Sequence, residues 1–469
     1  MRSGDFPRKR PALCQERWPS ILDIDKRTIS HNATGMVDLF APDGRQVTVS
    51  LVIACASPAP GNGEQRMVPV LLTRFTRLSS GLGIVLLLSP ALLAQSFQSN
   101  YGAGKYEEGV AVLVDDQAIT SVVRHYREGY GYGIQLLRTS LSGTNPVTID
   151  ITLPGAAFPQ SAVRATDGDI VICGSITPAG RYDHDALLLK VTAAGTTVWT
   201  WTSANPGGEE QFLCVDVLDD GYAAGGVWRD GADSDALLAR FGGSGGLVWQ
   251  DHYGTPADDQ FTGIAHDAGG IVAVGVKHYT LDTLINAFPV QMIDKNALAM
   301  RTDLDGAQQW LRTWGGSLAD DAAVDVIRRN DGSFVWTGYT DTYPIGDTTA
   351  QGDHFRHVFA MAINLTGDQL WYAAYGDTVR NRQGWSLLQA ANDELLFAGE
   401  NELGHRSNAF AIRASSTGTL IWERTYPLQR TDRLHDLLLM PDGGFIGTGK
   451  CTGAQSGQVL LLRKNSGGQ

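Results

Sequence analysis

Five segments of the chain end in one pattern: a glycine, three variable residues and a tryptophan. They run Gly195 to Trp199, Gly245 to Trp249, Gly306 to Trp310, Gly367 to Trp371 and Gly418 to Trp422, so the tryptophans stand 50, 61, 61 and 51 residues apart. A sixth copy, Gly143 to Val147, keeps the spacing and loses the ring. A period of this size marks stacked units, each unable to bury its apolar face alone. Every glycine follows an apolar run: IQLLRT (134–139), ALLLKV (186–191), ALLARF (236–241), ALAMRT (297–302), VFAMAI (358–363) and AFAIRA (409–414). Each unit therefore contains a hairpin, with glycine supplying the positive φ of its turn. A second hairpin follows each tryptophan through an Asp-rich turn, as in ATDGDIVICG (165–174), LDDGYAAGG (218–226), RNDGSFVWTG (329–338) and MPDGGFIGTG (440–449). Asp-Gly between apolar runs is a strong hairpin signal. Two hairpins give four strands, and four-stranded units at this period are propeller blades.

Seven units begin near residues 107, 159, 209, 258, 320, 381 and 432. The seventh ends at VLLLRK (459–464) without a glycine-xxx-tryptophan strand. FQSNYG (97–102) supplies the missing piece: Phe97 takes the tryptophan place, and Tyr101-Gly102 matches Tyr253-Gly254 and Tyr375-Gly376. The expected fold is all-β, a seven-bladed β-propeller over 95–469 closed by the mature N-terminal strand, since an open blade would leave edge N–H and C=O groups unpaired. Phe97, Trp199, Trp249, Trp310, Trp371 and Trp422 are expected to be structural, each ring packing against the neighbouring blade. Fifty-five glycines, 19% charged residues and scarce helix-forming runs agree with an all-β chain.

Residues 67–94, MVPVLLTRFTRLSSGLGIVLLLSPALLA, read as a secretory signal peptide. Arg74 and Arg77 form its basic start, Gly81 to Leu88 its apolar centre, and Leu92-Leu93-Ala94 its cleavage site. The stretch is short for a membrane span. Translation is expected to start at Met67, which leaves 1–66 as an upstream or disordered segment, and the mature chain is expected outside the cytoplasm, in the periplasm, at the cell surface or secreted, with no stable transmembrane segment. A net charge of −13 argues against nucleic-acid partners. Cys14, Cys55, Cys173, Cys214 and Cys451 form no CxxC pair. The last three are expected as buried thiols, with a Cys173–Cys214 bridge as the alternative.

The units, of the form DALLLKVTAAGTTVW…GGEEQFLCVDVLDDGYAAGG (185–226), resemble the repeats of secreted bacterial propeller proteins of Bacteroidetes-like lineages. INLTGDQLW (363–371) and IRASSTGTLIW (412–422) are similar to the tryptophan-docking repeats of quinoprotein dehydrogenases and outer-membrane assembly propellers. The quinoprotein resemblance would imply a cofactor beside a vicinal cysteine pair, which this chain does not have, so no cofactor is expected.

Two adjacent units carry long insertions on what would be the binding face, 278–296 and 340–357. Both are read as enlarged loops, and loops carry function more often than scaffold. Tyr279, Phe288, Tyr343, His354, Phe355 and Arg356 are the candidate contact residues there. Asp353, His354 and His357 are read as ordinary loop residues rather than metal ligands. Acidic residues open the innermost strands, and Glu108, Glu210, Asp259 and Asp321 would stand near the mouth of a central channel. Such a ring offers the oxygen ligands that Ca²⁺ takes, or carboxylates for acid–base chemistry. The competing reading is that each carboxylate bonds backbone N–H groups at a turn. The functional expectation is a module that binds a protein or polysaccharide at the cell surface through its loop face. The alternatives are a carbohydrate-active hydrolase or lyase using carboxylates at the channel mouth, and a structural part of an envelope assembly.

Overall fold

The computed structural model describes residues 32–40, 46–54, 70–74, 96–102 and 106–469, apart from 130, 230, 232–233, 255–256, 286–287, 317–318, 342–354, 428–429 and 453–456. The chain divides into two units, Met1–Leu93 and Ala94–Gln469. In the first, Asn32–Phe40, Gln46–Ala54 and Val70–Arg74 form a three-stranded antiparallel sheet. Two of these strands lie within 1–66, where the sequence shows no periodicity. The rest of 67–94 lies outside the described residues.

The second unit repeats one element. Four consecutive strands pair antiparallel over 107–151, 155–202, 209–253, 259–314 and 322–375, here sheets 1 to 5. Sheets 6 (381–426) and 7 (431–464) are joined by a single parallel pair, Ser407–Thr431. Sheet 7 gains its fourth strand from the other end of the unit: Phe97–Tyr101 pairs antiparallel with Gly457–Lys464, from Arg463–Phe97 to Val459–Tyr101. No helix occurs among the described residues. The unit is a β-propeller.

The central strands are apolar on both faces, as Asp185–Val191 shows by being buried throughout. Each sheet is therefore covered on two sides. Ile134 and Leu136 of sheet 1 pack with Ile170, Leu187 and Leu189 of sheet 2. Corresponding clusters lie between each later pair. Met440, Ile446 and Leu461 of sheet 7 join Val112 and Ile119 of sheet 1, with Phe97 against them. Cys173, Cys214 and Cys451 are buried and free.

At the rim, the ring of each outer strand lies on the glycine turn of the next sheet. A Cβ built on Gly245 would stand 2.5 Å from the Trp199 ring, and one on Gly306 would stand 3.2 Å from Trp249. Trp310 meets Gly367, Trp371 meets Gly418, Trp422 meets Gly468 and Phe97 meets Gly143 in the same way. In the copy that lacks the ring, Val147 is exposed and Ile149, two residues on, covers Gly195. These turns have positive φ, 82° at Gly245 and 90° at Gly306, so the glycine answers both the backbone and the ring. Polar bonds close the joint. Trp249 Nε1 donates to Leu304 O at 2.8 Å, Trp310 Nε1 to Leu365 O at 2.8 Å and Trp422 Nε1 to Ser466 O at 3.2 Å. Four residues after the ring, Tyr253 donates to Gly306 O at 2.7 Å and Tyr375 to Gly418 O at 2.7 Å.

The insertion 278–296 is not a loop. Gly270–Ile285 and Phe288–Thr302 pair without interruption out to Ile285–Phe288, a hairpin extension of sheet 4. Its residues, HYTLDTLI and FPVQMID, alternate and are rich in β-branched and aromatic types, so the ladder continues instead of opening.

Trp249→Ala should cost about 3–5 kcal/mol in chemical denaturation, and Tyr253→Phe about 1 kcal/mol. If Trp249→Ala unfolds like the parent, the rim joint is not an energetic one. Deleting 95–101 should lower the melting temperature and promote association, because Gly457–Lys464 then becomes an open edge. Scanning calorimetry with light scattering measures both effects.

Candidate functional site

Each sheet's innermost strand carries a register shift of one residue. The extra residues are Val110, Gln160, Leu213, Thr262, Val324, Trp385 and His435, and all seven line one cavity of about 510 Å³. A β-bulge re-aims the side chain it releases from the ladder, and here each released side chain meets the same space. Arg124, Tyr339, Arg433, Asp325 and Asp436 also line it.

Glu108 is buried where sheets 1 and 7 meet. Oε1 lies 2.8 Å from Arg433 Nη2 and 2.6 Å from His435 Nε2. Oε2 accepts from Arg124 Nη2 at 2.7 Å and from the Tyr106 hydroxyl at 2.9 Å. Burial alone would push the Glu108 carboxyl up, but His435, Arg124 and Arg433 together outweigh it and hold the group well below the usual carboxylate range. It is a fixed negative charge with no proton to give. Lys450 donates to the Tyr106 hydroxyl at 3.1 Å and lies 4.1 Å from that ring's centroid. Arg433 lies 5.9 Å from the Trp385 centroid, and the Trp385 and His435 rings are 5.3 Å apart.

Asp325 and Asp436 are differently placed. Asp325 accepts from Leu387 N of sheet 6 at 2.8 Å and from Val326 N at 2.8 Å. Asp436 accepts from Val112 N of sheet 1 at 2.7 Å and from Leu437 N at 2.8 Å. Each stitches its innermost strand to the next sheet. Burial pushes Asp325 up to about 7 and Asp436 up to about 6, against the backbone donors that lower them. Asp216 makes a third link, to His266 Nδ1 at 2.7 Å.

Of the four carboxylates singled out in the sequence, Asp259 accepts from His278 N at 3.0 Å and Asp321 from Gly316 N at 3.0 Å. Glu210 Oε1 accepts from Asn205 Nδ2 at 2.8 Å. Glu108 lies in a cluster of cations. Among the described residues no group of three or more His, Cys, Asp or Glu side chains could hold a metal ion. Tyr343 and His354 lie outside the described residues, and Phe288 is placed only as a strand residue. Phe355 is half-buried. Tyr279 donates to Thr313 Oγ1 at 3.4 Å. Arg356 pairs with Asp320 and lies 4.6 Å from the centroid of Tyr339, which brings it to the edge of the cavity. Sequence reasoning did not find Arg124, Trp385, Arg433, His435 or Lys450. For Asp325 and Asp436 a signal existed: a lone aspartate inside an apolar run, in AVDVI and HDLLL.

No protein-family model matches the sequence, and no curated protein matches it. Among solved structures the chain is similar to an ulvan lyase, at 9% identity and a TM-score of 0.43, over 78% of this chain and 96% of that one. It is similar to the β-propeller domain of the trilobed protease of Pyrococcus furiosus, at 9% identity and a TM-score of 0.42, over 78% and 98%. A polysaccharide lyase, Uly1, stands at 11% identity and a TM-score of 0.43, over 78% and 91%. No helix among the described residues is long and apolar enough to cross a membrane.

The raised carboxyls of Asp325 and Asp436 carry a pH signature. Their folded values lie above the unfolded value of about 3.9. The stability they contribute is full below that value and is lost as pH rises through about 6 to 7. Wild type should therefore lose stability relative to Asp325→Asn between pH 4.5 and pH 8. Parallel melting curves across that range check this; a constant difference would place the Asp325 pKa near its ordinary value.

Proposed function

We propose that residues 95–469 form a seven-bladed ring closed by Phe97–Tyr101, exported by the 67–94 segment, and that the ring is a binding module. Its ligand would enter the channel cavity. The observation that carries this reading is the convergence of seven bulge residues on one cavity of about 510 Å³, a size typical of ligand sites. The pairing of Phe97–Tyr101 with the last strand, and the packing of sheet 7 on sheet 1, support the closed ring. Arg74, Arg77 and the apolar run after them support export and a place outside the cytoplasm. Binding is preferred over turnover because Glu108 is held ionised, which suits it poorly to either proton role. Asp259 and Asp321 each accept a backbone N–H group. The partner would be a polysaccharide or a protein at the cell surface.

A second reading, a carbohydrate-active hydrolase or lyase, has one observation in its favour. Asp325 lines the cavity with a carboxyl pushed up to about 7, where a general acid works best. One experiment separates the two. The purified protein is melted with a panel of soluble polysaccharides while released reducing ends and unsaturated products are followed. A raised melting temperature without products is the expected result. Products that disappear in Asp325→Asn would replace the module with an enzyme.

A further inference from the structure

We infer that the channel mouth between sheets 1 and 7 takes a carboxylate-bearing sugar, a uronate unit of an acidic polysaccharide. This rests on the reading that the cavity is a binding site, and it names the ligand's chemistry. Around Glu108, Arg124, Arg433 and Lys450 bring three positive charges to that carboxylate's one negative charge. Burial and the two guanidiniums push the Lys450 ammonium down, although Glu108 opposes them. Unbalanced cations in a partly desolvated site are costly, and an anionic ligand relieves that cost. The guanidiniums are not sealed off. The Arg124 and Arg433 side chains keep 20% and 24% exposure and both line the cavity. Their planar forks match a carboxylate, as they already do at Glu108. Asp325 and Asp436 also line the cavity and offset part of that charge once they ionise, at about 7 and about 6, but their oxygens are engaged by backbone N–H groups of the sheets.

The rings beside the cations give the second half of the argument. Trp385 lines the cavity half-buried, and its Nε1 is buried without a hydrogen-bond partner. From Tyr106 a row of half-buried rings leads away across sheets 1 and 2. Tyr106 and Tyr132 are 5.8 Å apart, and Tyr132 and Phe158 are 4.9 Å apart. Rings with an apolar face and a polar edge suit sugars, which have both characters.

The test is calorimetric titration of the purified protein with three probes: oligogalacturonate, the same oligomer with its carboxylates reduced to alcohols, and dextran sulfate. Oligogalacturonate should bind, and carboxyl reduction should weaken it about tenfold or more, the size expected for hydrogen bonds to a charged group. Lys450→Gln should weaken it several-fold in the same direction. Arg433→Met also strips a partner from Glu108, so Lys450→Gln is the variant to rely on if Arg433→Met does not fold. Equal binding of the reduced oligomer would overturn the carboxylate assignment and leave the binding module standing. Binding of dextran sulfate alone would also overturn it, in favour of sulfate. If the polysaccharide panel gives a hit and oligogalacturonate none, the inference falls alone; if neither gives any binding, the polysaccharide partner falls with it.

Discussion

The architecture depends on the contact of one flat ring with one glycine turn. A central strand such as Asp185–Val191 is apolar on both faces, so a sheet of the second unit is not stable until it is covered twice. The clusters between sheets supply that cover but do not by themselves fix an angle. The rim joint does. Trp249 lies over the turn at Gly306, its Nε1 bonds Leu304 O, and Tyr253 bonds Gly306 O, so apolar and polar contacts meet at one place. A Cβ on this turn would stand 3.2 Å from the ring and crowd it. Arg240 reinforces this joint and Arg413 the one at Trp422, pairing with Asp220 and Glu394 in their own sheets while reaching the carbonyls of Leu304 and Ser466 that the two indoles also bond.

The joint at the rim leaves the inner ends of the sheets free to serve another purpose. There the sequence gives up ladder bonds, one bulge per innermost strand, and turns seven side chains into a common cavity. Two half-buried aspartates repair the loss. Asp325 and Asp436 accept N–H groups of the adjacent innermost strands, at the cost of a carboxyl that burial holds far from its ordinary titration range. The mouth between sheets 1 and 7 is a different case. Glu108 is paired several times over, and the cations around it exceed what it balances. A structural ion pair needs one partner of each sign; this cluster has more, beside a row of rings.

Much of the scaffold was legible in the sequence because repetition multiplies weak signals. One glycine before one tryptophan says little, but five at nearly equal spacing specify a unit, a turn and the side of the sheet that meets its neighbour. Phe97 could be placed against the last strand because FQSNYG is a worn copy of the same motif. The site was far less legible. Trp385 and His435 occupy bulges, which follow from backbone geometry in three dimensions and have no fixed residue signature. Arg124, Arg433 and Lys450 look like ordinary polar positions of amphipathic strands until sheets 1 and 7 meet. The 278–296 insertion was read as a loop because its length stood out more than its alternation did.

The sequence by itself determined the repeating unit, the turn glycines, the rings that lie on them and the identity of the strand that completes sheet 7. Each is a local or periodic property, carried by residue type and spacing. Only the tertiary structure decided which side chains share the cavity and which cations surround Glu108. Those groups come from strands more than three hundred residues apart, brought together where the first and last sheets meet. No period in the sequence records that meeting, because it happens once.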